Sequence, residues 1–565
     1  MRPKELLGNG PSVYFEVFLL GAVLIGIGVV HGYCLREGHP WGDDFAQYLM
    51  HARNLAEGRP YAQTGYIYHP EYPQLGPPAY PPGTPLLLAP IWKLWGLNWT
   101  ALKWSMIGCL LVWLALLNWY FRADLPVAGR LFLIALIGLN PLFLDQTNTI
   151  GSDLPFLVWV YLSLLLLQII ERAQQPVPSV PYQPASTSSG DYSAADRSQQ
   201  PGCSASSSEA TFATDRMPQG GSTTARPGRS SRVPRGSGPI GWYLAAALAV
   251  WAASATRTIG LVVWAVVLLA DWIRHRRLRP CLIWSTGLFL LLNGILLLLI
   301  PGTTGYLAQL SFHPLLWAEH SWQYGRQLAA FWRNDFSKSL AASIAGIVSL
   351  LALLGYCGQC RRQLSVREIF PLLYGSVVVV WPSYQGFRML DPVVPLWLFY
   401  AWLGLAELWK LRSRFRQRFG LLGVRILAIG LAGAIVAGYT SNLFRRPLGP
   451  LPEGIGRPSS QELFQAVQKY TQPEDVLIFI KPRALALCAE RSCSVYHPVQ
   501  TDEQLWAYFA QIHAKFLVVV RRPEAFQGAE DLKVVQFLAD FAARNQHQLQ
   551  PVWANEDFVL YRLQQ

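Results

Sequence analysis

Adjacent carboxylates, Asp43 and Asp44, open the stretch WGDDFAQYLMHARNLAEGRPY, and Asp145 and Asp153 follow in LFLDQTNTIGSDLPF. Carboxylates gathered on one face can take a proton from a nucleophile, orient it, or hold a divalent cation. Two arginines, Arg257 in SATRTIGLV and Arg388 in YQGFRMLDPVVPLW, stand at the ends of apolar segments. A guanidinium fork binds phosphate through two N–H groups at once. Between the acidic pair and the next apolar run, HPEYPQLGPPAYPPGTP adds His69, Glu71 and Tyr72 as candidates to line the same cavity. Each residue also has a plain reading. Anions at a helix start favour the dipole and cap free N–H groups, which fits Asp43, Asp44 and the Ser152–Asp153 pair. Arg388 could pair with Asp391 or reach headgroups.

The segments that carry these residues are those of a membrane protein. Of 565 residues, 52% are hydrophobic and 14% charged, against about 25% charged in soluble domains. Apolar runs at about 14–33, 103–121, 129–145, 153–171, 240–256, 259–273, 281–300, 339–356, 369–383, 392–409 and 422–440 predict about eleven transmembrane helices, each near the ~20 residues that cross a bilayer. GTPLLLAPIWKLWG, 83–96, is shorter and contains Lys93, which predicts an interfacial or re-entrant helix. Phe45, Tyr48, Leu49, Ala52 and Leu55 share one helical face, so 45–57 is expected to lie along the membrane surface behind the acidic pair.

The net charge is +13. Its distribution argues for membrane sidedness and against nucleic acid. Arg2 and Lys4 precede the first run and Arg122 and Arg130 flank the next turn. Arg274, Arg276, Arg277 and Arg279 follow the sixth run, Arg361, Arg362 and Arg367 the eighth, and Lys410 to Arg418 the tenth. The positive-inside rule makes all of these loops cytoplasmic. The N-terminus is then inside, the first run is a retained signal anchor, and Asp43, Asp44, Asp153, Arg257 and Arg388 face outward. Cys488 and Cys493 could pair outside; Cys357 and Cys360 form a lone CxxC, read as incidental.

Four regions follow: an N-terminal membrane part, 1–171, with its outward loop 34–85; a disordered cytoplasmic linker, 172–239, rich in Ser, Pro, Gly and Gln; a second membrane part, 240–441; and an extracytoplasmic α/β domain, 451–565. In the last, Ser459 and Glu462 suggest a capping box. Strands are expected at DVLIFIKP, KFLVVVRR and DFVLYRL, alternating with helices in a Rossmann-like unit without a Gly-rich phosphate loop.

Taken in order, the acidic pair, Tyr48, Ala52 and Arg53, YPPGTPLLL with Pro81 and Pro82, GSD around Asp153, TRTIG around Arg257 and FRMLDPVVPL around Arg388 resemble the GT-C superfamily. These are protein mannosyltransferase-like and aminoarabinose transferase-like enzymes that use polyprenyl-phosphate sugars. The resemblance implies a glycosyltransferase making an inverting hexosyl or pentosyl transfer to a glycan, lipid or protein acceptor, and the polar cytoplasmic insertion with no organelle signal in the sequence suggests the plasma membrane. It implies Asp43 as base with Asp44 close behind, and Asp153, with Glu71 and His69, on the acceptor or on a divalent cation, Mg or Mn. Arg257 and Arg388 would hold the donor phosphate. Aminoarabinose transferases carry a lysine before the Pro-Pro step, where this chain has Tyr80, which argues against that activity. The alternatives are a transporter or flippase of lipid-linked sugars and, among enzymes, a polymer ligase or oligosaccharyltransferase.

Overall fold

Every predicted apolar run coincides with a helix: Pro11–Tyr33, Trp99–Tyr120, Val127–Gly138 with Pro141–Thr147, Asp153–Ala173, Ile240–Thr256, Leu261–His275, Pro280–Leu299, Lys338–Arg362, Val366–Val380, Val394–Ser413 and Phe419–Arg445. The computed structural model describes residues 11–174, 240–300, 313–333, 337–413, 419–522 and 529–564. The expected linker therefore lies, from residue 175 on, outside the described residues, as do Arg2, Lys4 and Arg414 to Arg418. The chain is a multi-pass α-helical membrane protein with a small C-terminal sheet.

Six of the described helices are long and apolar enough to cross a membrane, and a bent pair raises this to seven. That pair is the third predicted run, broken by 59° between Gly138 and Pro141. Pro141 supplies no N–H to the incoming helix, and the Asn140 side chain accepts from Leu142 N–H at 3.0 Å in its place. Asn140 also donates to Phe331 O and Tyr439 Oη, at 3.0 and 2.8 Å, so the break is stitched to two distant segments. Ile240–Thr256 and Val394–Trp409 are apolar but shorter than the others.

Ion pairs between helix ends mark one end of the bundle. Asp124 meets Arg172 at 3.3 Å and Arg367 at 2.9 Å; Glu171 meets Arg274 at 3.4 Å; Glu16 meets Arg130 at 2.9 Å. These are ends assigned to the cytoplasm from the sequence. The acidic loop and Arg257 and Arg388 lie at the opposite ends of their helices.

The loop helix Asp44–Glu57 packs against Gly83–Trp95 on one side and against Pro482–Ala489 on the other. It therefore sits between the membrane helices and the C-terminal unit. The sheet of that unit has the order β1-β3-β2-β4-β6-β5, with β1 Tyr66–Ile67, β2 Val476–Ile478, β3 Ser492–Ser494, β4 Ala514–Val520, β5 Leu549–Ala554 and β6 Phe558–Leu563. Strands β1, β3, β2 and β4 run parallel, joined by helices Pro482–Ala489 and Asp502–Gln511; β6 and β5 close the edge antiparallel. Parallel strands with helical crossovers match the Rossmann-like expectation at this half only. Strands β3 and β5 were not expected, and β1 belongs to the first outward loop, where Tyr66 pairs with Cys493 and Ile67 with Ser494.

Further contacts fasten loop to sheet. Trp41 inserts among Phe464, Phe479 and Phe558, with ring centroids 5.7, 5.6 and 6.1 Å away. Ile455 N–H donates to His39 O at 3.0 Å, and at Gly454, with φ +102°, a Cβ would collide with that carbonyl. Two expectations fail. Ser459 lies one residue inside helix Pro458–Tyr470 and donates to Asp557 at 2.5 Å, while Glu462 accepts from Asn555 at 2.9 Å, so neither forms a capping box. Cys488 and Cys493 are both free thiols.

Candidate active site

A cavity of about 860 Å³, counting its open mouth, lies where the loop helix, the Pro-rich loop and the membrane helices meet. Asp44, Tyr48, Tyr80, Ser152, Arg257, Gln385, Arg388 and Arg483 are in its walls. Of the residues singled out from the sequence, it brings together Asp44, Tyr48, Tyr80, Pro81, Ser152, Arg257 and Arg388.

Asp44 is the first residue of its helix, and its side chain is 48% exposed toward the cavity. Oδ1 accepts from the Tyr80 hydroxyl at 2.6 Å, and Oδ2 lies 3.7 Å from Arg388. Burial pushes this carboxyl up, but Arg388, Arg483, the Tyr80 hydroxyl and Arg257 outweigh it, and the group sits below its ordinary range. Asp44 is therefore an ionised carboxylate facing open space. Tyr80 is itself pinned: His51 Nε2 accepts its N–H at 3.1 Å, and the Tyr61 hydroxyl donates to its carbonyl at 2.8 Å.

Asp43 is not in the cavity wall. Its Oδ1 accepts from the backbone N–H groups of Arg483 and Ala484 at 2.9 and 3.2 Å, and Oδ2 meets the Arg483 guanidinium at 2.8 Å. The carboxylate thus caps Pro482–Ala489, a helix 440 residues away, and makes no side-chain cap at its own helix. Burial raises its pKa, with Arg483 the chief opposing charge.

Asp153, at the start of helix Asp153–Ala173, is ion-paired with Arg257, and the same guanidinium packs over Phe156 and reaches Met389 Sδ at 3.3 Å. Ser152 accepts from the Tyr48 hydroxyl at 2.9 Å. Arg388, 39% exposed, pairs with Gln385 and Asp44. Asp391, 1% exposed, accepts from Gln146 at 2.8 Å, and burial pushes its carboxyl up to about 8. His69 and Glu71 stand elsewhere. His69 is buried against Tyr508, stacked at 3.8 Å, and burial lowers its pKa to about 4; Glu71 is exposed.

Among the described residues no group of three or more His, Cys, Asp and Glu side chains is arranged to hold a metal ion. Asp43, Asp44 and Asp153 each already face an arginine. These residues do not form a ligand set for Mg or Mn.

No family model matches the sequence, and no curated protein matches it. Among solved structures, the archaeal oligosaccharyltransferase AglB from Archaeoglobus fulgidus, in complex with an inhibitory peptide and a dolichol-phosphate, is similar over 90% of this chain and 70% of that one, with a TM-score of 0.52 and 9% identity. The chain has the GT-C fold. ArnT from Cupriavidus metallidurans bound to undecaprenyl phosphate covers 97% of both chains at a TM-score of 0.49 and 15% identity. On this GT-C frame the sequence pointed to Asp44, Arg257 and Arg388 through residue type and position. It passed over Arg483, because a Pro-Arg step opening a short helix carries no sign of a partner in the first loop.

Proposed function

We propose that this protein is a plasma-membrane GT-C glycosyltransferase that moves a sugar from a polyprenyl-phosphate carrier to a lipid, glycan or protein acceptor at the extracytoplasmic face. The observation that supports this most is Asp44, ionised in the cavity wall within reach of two arginines that border the same space. The dolichol-phosphate in the AglB structure fits the same donor class.

In this reading Asp44 takes the proton of the acceptor hydroxyl or amine as that atom attacks the anomeric carbon. The bond from that carbon to the phosphate oxygen breaks, its electron pair stays with the phosphate, and configuration inverts. Arg388 and Arg257 neutralise the leaving phosphate. Asp153 holds Arg257 in place, and Tyr80 fixes one oxygen of Asp44 so that the other points at the acceptor. Asp43 is not the base in this scheme, since both of its oxygens are engaged by the C-terminal unit. Tyr80, the position of the aminoarabinose transferases' lysine, serves Asp44, and the preferred donor is a hexosyl or pentosyl carrier other than aminoarabinose.

The test is transfer of radiolabelled sugar from a panel of polyprenyl-phosphate donors by purified protein in nanodiscs, with Asp44→Asn and Arg388→Ala beside wild type. Transfer lost in Asp44→Asn, in a protein that stays folded, supports the reading. Absence of lipid phosphate release from every donor overturns it in favour of a transporter or flippase.

A further inference from the structure

Arg483 lies in the first turn of Pro482–Ala489, within the C-terminal unit, yet it forms part of the cavity wall. Its side chain is 4% exposed. Nη1 donates to Asp43 at 2.8 Å and Nη2 to Leu75 O at 3.1 Å, while the plane of the guanidinium lies over Tyr66 at 4.1 Å and Tyr80 at 5.3 Å. Nε is buried and has no hydrogen-bond partner among the described residues. Leaving one N–H of a buried guanidinium unmet costs free energy that its other contacts must offset. The surroundings are shaped to accept the group: Gly76, with φ +119°, lies so close that a Cβ there would collide with the guanidinium. Tyr80, in turn, donates to Asp44 at 2.6 Å. A chain of contacts therefore runs from the C-terminal helix through Arg483 and the Tyr80 ring to the Asp44 carboxylate.

We propose that Arg483 is a positioning residue through which the C-terminal unit sets the Asp44 carboxylate, with Asp43 as its anchor. The acidic pair is then divided by role. Asp44 faces the reactants, and Asp43 secures the arginine that orders Tyr80 beside it. This deepens the proposed function and rests on it for the meaning of Asp44 as base. The charged and titratable groups facing Asp44 are Arg388 and Arg257 from turns between the membrane helices, Arg483 from the C-terminal unit, Tyr80 and Tyr48, and the neighbouring Asp43. Three of them are cations, and Arg483 is the one supplied from outside the membrane part.

The experiment titrates the Asp44 carboxyl by infrared difference spectroscopy in nanodiscs, with Asp44→Asn as the blank. It compares wild type with Arg483→Gln, Arg483→Lys and Gly76→Ala. The last displaces the guanidinium without changing any charge, and Arg483→Lys keeps the charge without the fork. The expected result is that Asp44 titrates about one unit higher in Arg483→Gln, tenfold in proton affinity, moves the same way in Gly76→Ala, and returns most of the way in Arg483→Lys. In the transfer assay Arg483→Gln lowers kcat about tenfold and changes the donor KM less than about threefold, the pattern of a group that acts on the reacting carboxylate. An Asp44 titration that is unmoved in both Arg483→Gln and Gly76→Ala overturns the inference. The titration reports on Arg483 whether or not sugar transfer is detected, so a wild type without transfer counts against the proposed function alone.

Discussion

The two neighbouring aspartates are chemically alike and placed unlike, and the difference is measurable. Asp44→Asn removes the proposed base and is expected to lower kcat by about 10²–10⁴-fold, the range of general base catalysis, with the unfolding temperature close to wild type. Asp43→Asn breaks the buried pair with Arg483 and is expected to destabilise the protein by about 3 kcal/mol, seen as an earlier thermal transition. The reverse ranking would return Asp43 to the role that the sequence suggested. That suggestion came with the GT-C resemblance, and a carboxylate pair at a helix start says which residues matter and not which of them lines the cavity. The deciding neighbour lies 440 positions downstream, beyond any local pattern.

Elements were legible where their periodicity was local. All eleven apolar runs became helices, because a long apolar stretch needs no partner to declare itself. The strands β3 and β5 escaped because three or six residues of mixed polarity, SCS and LQPVWA, carry no clear alternation. β1 is two residues whose register comes from β3. The joint between loop and sheet yields a prediction of its own: Trp41→Ala empties a site lined by three phenylalanines and is expected to cost about 3–5 kcal/mol, with early unfolding or proteolysis of the C-terminal unit as the signal. Within that unit, Asp475 accepts from Lys515 and from Gln472 N–H at 2.7 and 2.8 Å. Burial raises its pKa, but these contacts win and hold it below its ordinary range. A lowered folded-state pKa contributes stability that is present above the unfolded value, about 3.9, and is lost as pH falls through the folded one. The thermal transition is therefore expected to drop below about pH 4, and less steeply in Asp475→Asn.

Across the whole molecule, the helix ends that are rich in arginine lie together. The arginines read as cytoplasmic, Arg172, Arg274 and Arg367 among them, join acidic partners across helices, and the cavity occupies the other end. With single cysteines in an otherwise cysteine-free protein, an impermeant maleimide applied to intact cells is expected to spare Cys357, exposed near the C-terminal end of helix Lys338–Arg362, and to label Lys469→Cys in the C-terminal unit. Labelling of Cys357 from outside would invert the proposed orientation.

Strand β1 also imposes a schedule on synthesis. The loop that contains it is made within the first hundred residues, while its partner β3 emerges only at Ser492. At about 5–20 residues per second, some 20–80 seconds separate the two on the ribosome. During that interval the segment holding Asp43 and Asp44 has neither its sheet neighbour nor Arg483, so a truncated or stalled chain carries the acidic pair without the rest of the cavity. Competence arrives only with the last fifth of the polypeptide.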